Sequence, residues 1–269
     1  MFRSRKERHV TVLIRDIVKN RKLLVAGHRG YSAKYPENTL LSVRKGIEAG
    51  VDMIEIDIAL SKDGVPVLCH DDTLDRTTTG TGLVNAYTLA ELRALDAGIK
   101  RGSEFAGLQI PTFEELCELM QEHPNVLLNV DLKYGEHVLR SAELVLEIIE
   151  KYNMSQRCVF NSLDGRATMY THKRGLFTEG APKGFYGMSN FDDSANGTYA
   201  AMDVICINMR DVSNESVAHY KSMGLPVWCW GAESEETIRR AVDSGISLLV
   251  CNDPNIAVKI RDEMNAIQE

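Results

Sequence analysis

Short apolar runs alternate with amphipathic helical patterns from residue 22 to the end of this 269-residue chain. The apolar runs predict strands over residues 23–27, 53–60, 126–132, 158–161, 184–188, 204–208, 226–230 and 248–251. Most of the intervals hold a predicted helix, over residues 39–49, 112–123, 137–152, 213–223 and 233–244. Because alternating strands and helices imply parallel pairing, this rhythm predicts an α/β protein with a (β/α)8 barrel. A doubly wound open sheet is the alternative.

The interval between the second strand and the helix at Thr112 is much longer than the others. It contains a predicted hairpin at residues 65–70, a Thr/Gly-rich turn at 77–82 and a short helix near 89–95. In a barrel, a loop that follows a strand lies over the carboxyl-terminal face, where active sites form. We therefore predict one barrel domain over residues 1–269, with an insertion at approximately 62–110 that covers the substrate entrance. An N-terminal helical arm is predicted at approximately 1–20.

Polar residues at the predicted helix starts support these boundaries. Thr112 is followed three residues later by Glu115, and Ser213 by Ser216, as in helix N-terminal caps. Asn38 or Thr39 is expected to cap the helix predicted at residues 39–49.

The formal net charge of −7 argues against nucleic acid or an anionic membrane surface as a partner. The basic run at residues 3–8 is an exception, which we interpret as a solvated helix or arm, with an interaction tail as the alternative. No apolar stretch reaches the ~20 residues that a membrane span requires. We expect a soluble protein without stable membrane association; formation of a homo-oligomer is left open.

Six cysteines are widely spaced, and no Cys-x-x-Cys pair occurs among them. Several lie in apolar runs, where cysteine behaves as a small hydrophobic residue. The apolar run at residues 10–14 is too short for a signal peptide. These features predict reduced core cysteines in a cytoplasmic protein.

The second predicted strand carries two acidic residues on one face. Alternation places Glu55 and Asp57 on the inward face together with Met53 and Ala59, and isoleucines on the outward face. Two carboxylates inside a barrel are costly unless a positive charge neutralises them. We therefore predict a divalent cation at Glu55 and Asp57. The alternative is a sheet surface that faces water.

The third predicted strand repeats this pattern, so that Asn129, Asp131 and Lys133 point inward. Asp131 would bring a third carboxylate to the cation, and Lys133 would add a positive charge that also binds substrate phosphate. A buried ion pair between Asp131 and Lys133 is the alternative. Ligands that are all oxygen atoms favour Mg²⁺ or Ca²⁺ over zinc, without a choice between those two.

Two histidines stand at strand ends beside the predicted cation site. His28 ends the first strand and His70 ends the hairpin arm, and imidazoles transfer protons near neutral pH. Arg29 is the natural phosphate ligand, because a guanidinium forks onto phosphate oxygens. A structural ion pair from Arg29 to Glu37 or Asp72 is the alternative.

Two tryptophans alternate on the seventh strand and so share a face. Trp228 is predicted to pack in the core. Trp230 stands at the strand's end, and lining the pocket is an equally good interpretation of it.

Three stretches resemble the glycerophosphodiester phosphodiesterase family: residues 28–82, Asn-Val-Asp-Leu-Lys at 129–133, and Trp228 with Cys-Asn-Asp-Pro at 251–254. The resemblance implies a TIM barrel with a small inserted subdomain after the second strand. It also implies metal-dependent hydrolysis of glycerophosphodiesters to glycerol 3-phosphate and an alcohol. His28 and His70 match the family's general acid/base pair. The other matched positions are Arg29 and Lys133 for phosphate, and Glu55, Asp57 and Asp131 for the metal.

The chain departs from the family pattern at three places. Asp131 falls where the family usually has a glutamate, so its carboxylate has a shorter reach toward the metal. Leu163 replaces an aromatic residue after Ser162, and Cys-Trp-Gly at 229–231 replaces the Thr-Val-Asn that follows the family's tryptophan. These changes are expected to alter the pocket rim.

Two other functions remain open from the sequence. One is a related phospholipase of the sphingomyelinase D or phosphatidylinositol-specific type, because those barrels also use two histidines. The other is a non-catalytic barrel that binds a phosphometabolite.

Overall fold

Eight parallel strands close into a barrel in the computed structural model, which describes residues 14–133, 135–185 and 187–266. The order around the barrel is β1-β9-β8-β7-β6-β5-β4-β2, and pairing of β1 with β2 closes it. The strands are β1 (Leu24–His28), β2 (Met53–Leu60), β3 (Pro66–Leu68), β4 (Leu127–Leu132), β5 (Cys158–Asn161), β6 (Phe177–Gly180), β7 (Val204–Asn208), β8 (Val227–Trp230) and β9 (Leu248–Cys251), of which β3 lies outside the barrel. The predicted (β/α)8 TIM barrel is confirmed, and the open sheet is excluded.

Helices cover the outside of the barrel and one of its ends. They are α1 (Ile14–Asn20), α2 (Leu40–Glu48), α3 (Leu89–Arg93), α4 (Phe113–Gln121), α5 (Val138–Lys151), α6 (Gly165–His172), α7 (Asn214–Ser222), α8 (Glu235–Asp243) and α9 (Pro254–Ala266). Thr39, not Asn38, caps α2 by accepting a hydrogen bond from the backbone N–H of Ser42. The predicted capping pairs Thr112–Glu115 and Ser213–Ser216 are confirmed.

The barrel separates two apolar clusters, because side chains alternate along each strand. Outward residues such as Ile54 and Ile56 pack against the helices. Inward residues near the strand starts, such as Met53 and Trp228, fill the barrel together with Ile14 from α1. Helix α1 therefore closes the end of the barrel where the strands begin. The functional groups lie at the opposite end.

The insertion after β2 begins with the predicted hairpin. Strand β3 pairs antiparallel with β2, Ile58 opposite Leu68, and the short helix α3 follows at the predicted place. The insertion has its own small apolar cluster, which includes Leu74, Val84 and Leu92. It positions the loop that carries His70. The assignment of the whole chain to one domain remains a prediction.

One predicted strand is wrong. The sixth strand of the chain is Phe177–Gly180, whereas the described residues of 184–188 form turns after it. Gly184 and Gly187 have φ angles of +77° and +91°, which are incompatible with an extended strand. Phe185 in this segment instead packs edge-on against Trp230, at the end of the barrel that carries the functional groups.

The remaining predictions concern the cysteines, membrane-spanning helices and the N-terminal arm. All six cysteines are free and buried. No helix in the described part of the chain combines the length and apolar character needed to cross a lipid bilayer. The basic run at residues 3–8, and the arm as far as residue 13, lie outside the described residues.

Candidate active site

A cavity of about 530 Å³ opens at the end of the barrel where the strands finish. Its lining includes all eight residues that the sequence singled out: His28, Arg29, Glu55, Asp57, His70, Asp131, Lys133 and Trp230. The structure therefore brings the predicted site residues together. What each residue does remains a prediction.

Three carboxylates form a compact cluster in this cavity. One oxygen each from Glu55, Asp57 and Asp131 lies within 4.8 Å of the others. Strand register causes this, because Asp57 on β2 is directly opposite Asp131 on β4. Burial, and then repulsion from Asp57 and Asp131, raises the pKa of Glu55 well above its ordinary value. Oxygen atoms this close, at a buried site rich in negative charge, fit a hard divalent cation.

Two positively charged side chains, those of Lys133 and Arg29, contact the carboxylate cluster directly. Nζ of Lys133 lies 2.5 Å from Oδ1 of Asp57 and also pairs with Asp131. Nε of Arg29 lies 3.2 Å from Oδ2 of Asp57, and its Nη1 lies 2.8 Å from Oε1 of Glu37. Burial alone would raise the pKa of Asp57, but Lys133 and Arg29 hold it well below its ordinary value. The ion pairs considered from the sequence, Asp131–Lys133 and Arg29–Glu37, are thus both present.

The loop after β1 holds Arg29 in an uncommon backbone conformation. Arg29 has a φ angle of +54°, and its backbone N–H donates to Oε2 of Glu55 at 2.9 Å. A Cβ on Gly30 would lie 2.4 Å from the carbonyl carbon of Ser42, so only glycine allows α2 to approach this closely. In the His-Arg-Gly sequence, Arg29 therefore directs its side chain into the cavity, and Gly30 lets the loop pack closely against α2.

Asn38 supports the cluster and was missed as a site residue. Its Nδ2 donates to Oδ2 of Asp57 at 2.7 Å, while the backbone N–H of Asp57 donates to Oδ1 of Asn38 at 3.2 Å. Asn38 also has a positive φ angle, of +55°. From the sequence it was considered only as a helix cap.

His28 is oriented by a residue from the far end of the chain. Its Nδ1 lies 2.7 Å from Oδ1 of Asn252, and its Nε2 lies 3.9 Å from Oε2 of Glu55. Burial, and then the nearby charge of Arg29, lowers the pKa of His28 to about 4. The ring is therefore neutral at pH 7 and can accept a proton.

His70 has a different setting. Its Nδ1 lies 2.6 Å from Oδ1 of Asp71, and Nε of Arg76 donates to the other oxygen of that carboxylate at 2.7 Å. The hydrogen bond from Arg76 is the main reason that the pKa of Asp71 is lowered to about 2. Arg76 also binds Glu37, the partner of Arg29. A charged network thus connects the surroundings of His70 to those of Arg29.

Glu179 is a buried carboxyl in the cavity that the sequence analysis missed. It stands on β6 and accepts a hydrogen bond from Nδ2 of Asn129 at 2.6 Å. Burial raises the pKa of Glu179 to about 7. The sequence contains one signal for this residue. Phe177 and Glu179 are two residues apart, and this spacing places both side chains on the same face of the four-residue strand β6.

The two tryptophans lie in different environments, one in the core and one at the cavity rim. Trp228 is fully buried inside the barrel. Trp230 is 37% exposed at the cavity rim, where its ring centroid lies 6.3 Å from that of Phe185. Leu163 lines the same cavity. An apolar and aromatic wall therefore stands across the barrel mouth from the charged cluster.

The model of the glycerophosphoryl diester phosphodiesterase family matches residues 28–256. The chain belongs to this family. It is 31% identical over 244 residues to a glycerophosphodiester phosphodiesterase of Caldanaerobacter subterraneus, a match that covers 89% of this chain and 98% of that protein. A Bacillus altitudinis glycerophosphodiester phosphodiesterase is 30% identical over 241 residues, with coverage of 89% and 98%.

Solved structures of phosphodiesterases share the fold. An Oleispira antarctica phosphodiesterase in complex with the product sn-glycerol-3-phosphate has a TM-score of 0.79 and 26% identity, covering 89% of this chain and 96% of that one. A Thermotoga maritima glycerophosphodiester phosphodiesterase has a TM-score of 0.65 and 25% identity, with coverage of 88% and 98%. Membership of the glycerophosphoryl diester phosphodiesterase family confirms the predicted resemblance and the enzyme class, a phosphoric diester hydrolase.

Proposed function

We propose that this protein hydrolyses glycerophosphodiesters to glycerol 3-phosphate and an alcohol, using one divalent cation and two histidines as general acid and base. One observation carries the proposal. The carboxylate cluster of Glu55, Asp57 and Asp131 shares a single cavity with His28 and His70. Family membership supports the same activity, and the product named for the Oleispira antarctica relative supports a small-molecule substrate.

Glu55, Asp57 and Asp131 would hold the cation, and their oxygen ligands favour Mg²⁺ or Ca²⁺. The bound ion would polarise phosphate oxygens and stabilise the charge that develops on them during cleavage. Arg29 and Lys133 would bind the remaining phosphate oxygens, since both stand beside the cluster. Trp230 would contact the substrate at the rim.

The two histidine environments support different roles. A neutral His28 whose Nδ1–H donates to Asn252 leaves Nε2 free to accept a proton from the attacking oxygen. The carboxylate of Asp71 orients the ring of His70 through Nδ1, and His70 would donate a proton to the leaving alkoxide. The attacking oxygen belongs either to water or to the 2-hydroxyl of the glycerol. Phosphorus NMR during turnover distinguishes them, because attack by the 2-hydroxyl first forms a cyclic phosphate, which has its own resonance.

A substrate and metal panel tests the proposed function. Glycerophosphocholine, other glycerophosphodiesters and lysolipids would be assayed with Mg²⁺, Ca²⁺ or Mn²⁺, and with EDTA. We expect turnover of glycerophosphodiesters that EDTA abolishes and one of the ions restores. Preference for lysolipids would favour a phospholipase. Absence of any turnover with all three ions would favour a non-catalytic phosphometabolite-binding barrel.

A further inference from the structure

Arg76 lies in the insertion after β2 and binds two carboxylates at once. Its Nε and Nη2 donate to Oδ2 and Oδ1 of Asp71 at 2.7 and 3.1 Å. Its Nη1 and Nη2 donate to Oε2 and Oε1 of Glu37 at 2.6 and 2.8 Å. A planar guanidinium presents donors on two edges, so arginine can form both paired contacts, whereas the point charge of a lysine cannot. Arg76 therefore fixes the insertion against the loop between β1 and α2.

Each of these carboxylates also holds a residue that the proposed mechanism uses. Oδ1 of Asp71 lies 2.6 Å from Nδ1 of His70. Oε1 of Glu37 accepts a hydrogen bond from Nη1 of Arg29 at 2.8 Å. His70 follows β3 and Arg29 follows β1, so Arg76 connects two groups that come from different parts of the chain.

Charge explains what Arg76 contributes to each contact. Burial alone would raise the pKa of Glu37, but the hydrogen bonds from Arg76 and the charge of Arg29 hold it below its ordinary value. Without Arg76, Glu37 would have Arg29 as its one cationic partner among the described residues and would hold it more firmly against a competing phosphate. Asp71 would lose the hydrogen bonds that fix its carboxylate, and the ring of His70 would lose its fixed orientation.

We propose that Arg76 is a positioning residue for phosphodiester cleavage. Through Asp71 it orients the imidazole of His70. Through Glu37 it keeps the guanidinium of Arg29 available to the substrate phosphate. This inference rests on the proposed function, which assigns proton donation to His70 and phosphate binding to Arg29. The side chain of Arg76 is 47% exposed, so its replacement leaves the apolar core intact.

Two substrates with different leaving groups test the contact through His70. Choline needs a proton as it leaves glycerophosphocholine, whereas p-nitrophenolate leaves the p-nitrophenyl ester of glycerol phosphate as a stable anion. For glycerophosphocholine, Arg76→Ala should lower kcat about 10- to 100-fold. For the p-nitrophenyl ester, kcat should fall less than about threefold, because no general acid is required. KM should rise about three- to tenfold for both, because Arg29 binds the phosphate of either substrate.

Chemical rescue separates a positioning role from a general loss of structure. Arg76 and Glu37 border a surface cavity of about 170 Å³, so a free guanidinium ion can enter the space that Arg76→Ala leaves. Guanidinium chloride at about 20 mM, far below the molar concentrations that unfold proteins, should restore part of kcat for glycerophosphocholine. The same concentration of NaCl should not. Arg76→Lys keeps the charge but not the two paired contacts, and should show the same dependence on the leaving group as Arg76→Ala.

Arg93→Ala is the matched control. Arg93 belongs to the same insertion, on α3, and pairs with Glu115 on α4 rather than with a residue of the site. This variant should keep wild-type kcat and KM with both substrates. Thermal unfolding of the variants reports any change in stability separately from the kinetics.

Three results would overturn the inference: wild-type kinetics in Arg76→Ala, an equal loss of kcat with both substrates, or equal rescue by NaCl. Its failure is distinguishable from failure of the proposed function. Any of these results with an active wild-type protein removes only the role of Arg76, whereas absence of all turnover by the wild-type protein removes the activity itself.

Discussion

Oδ1 of Asn252 lies 2.7 Å from Nδ1 of His28, which joins the loop after the last barrel strand to the end of the first. The amide of Asn252 is held in this orientation because its Nδ2 donates to Oε1 of Glu233 at 2.9 Å. Its oxygen therefore faces the histidine, and Nδ1 of His28 carries the hydrogen. This relationship selects the tautomer whose Nε2 can act as a base.

Replacing Asn252 by alanine should lower kcat about 10- to 100-fold, because the tautomer and orientation of His28 would no longer be fixed. Cation affinity should be unchanged, since Asn252 is not part of the carboxylate cluster. Steady-state kinetics and calorimetry check the two expectations. Ser32→Ala is the matched control, because Ser32 also donates to Oδ1 of Asn252 but, among the described residues, makes no hydrogen bond to the imidazole of His28. Wild-type kcat in Asn252→Ala would show that the contact is not needed.

His28→Ala and His70→Ala should each lower kcat/KM by about 10²–10⁴, the usual contribution of a general acid or base. Circular dichroism should show an unchanged fold, because neither ring belongs to the apolar core. His219→Ala, at an exposed position on α7, should have no effect. Turnover close to that of the wild type in either site variant would remove that histidine from the mechanism.

The acidic side of the pH profile should reflect the low pKa of His28. Because burial lowers that pKa to about 4, the base stays unprotonated as the pH falls from 7 to 5. A bound cation beside Glu55 would disfavour protonation of His28 further, so with saturating cation kcat/KM should keep its base down to about pH 4 or below. An acidic limb near the ordinary histidine value of 6.5, absent from His28→Ala, would contradict this prediction.

Glu179 should make the metal-free protein less stable as the pH rises. Its pKa is raised from 4.5 to about 7, so between these values the folded protein holds a proton that the unfolded chain has lost. The free energy of unfolding therefore decreases with rising pH across this window, by about 3 kcal/mol. Urea denaturation in EDTA at several pH values measures the decrease. The same series with Glu179→Gln should lack this contribution, and parallel curves for the two proteins would contradict it.

The barrel could be predicted from the sequence because its signals are local. Apolar strands such as β2 and β4 alternate with helices whose starts carry capping residues such as Thr112 and Ser213. The alternation of side chains along β2 also predicts that Glu55 and Asp57 point into the barrel, and both are buried there. Because buried carboxylates need a positive charge nearby, their position indicates a cation site. Local patterns are sufficient for both results.

The missed features depend on contacts that are distant in sequence. Strand β6 contains Thr178 and Glu179, which are polar yet buried. The sequence of this strand is therefore not an apolar run and does not predict a strand. The aromatic sequence at residues 184–188 resembles a strand more closely, but Phe185 and Gly187 line the cavity instead. The partner of His28 is 224 residues away, and no local pattern connects the two.

Closure of the ring between β1 and β9 also has a consequence for biosynthesis. His28 is made long before Asn252, which follows it by 224 residues, so a nascent chain cannot orient His28 through Asn252 until residue 252 has been added. A chain held on the ribosome before β9 has emerged would also lack the pairing of β1 with β9 and should therefore cleave diesters poorly. Full enzyme activity should begin only after β9 has emerged and joined β1.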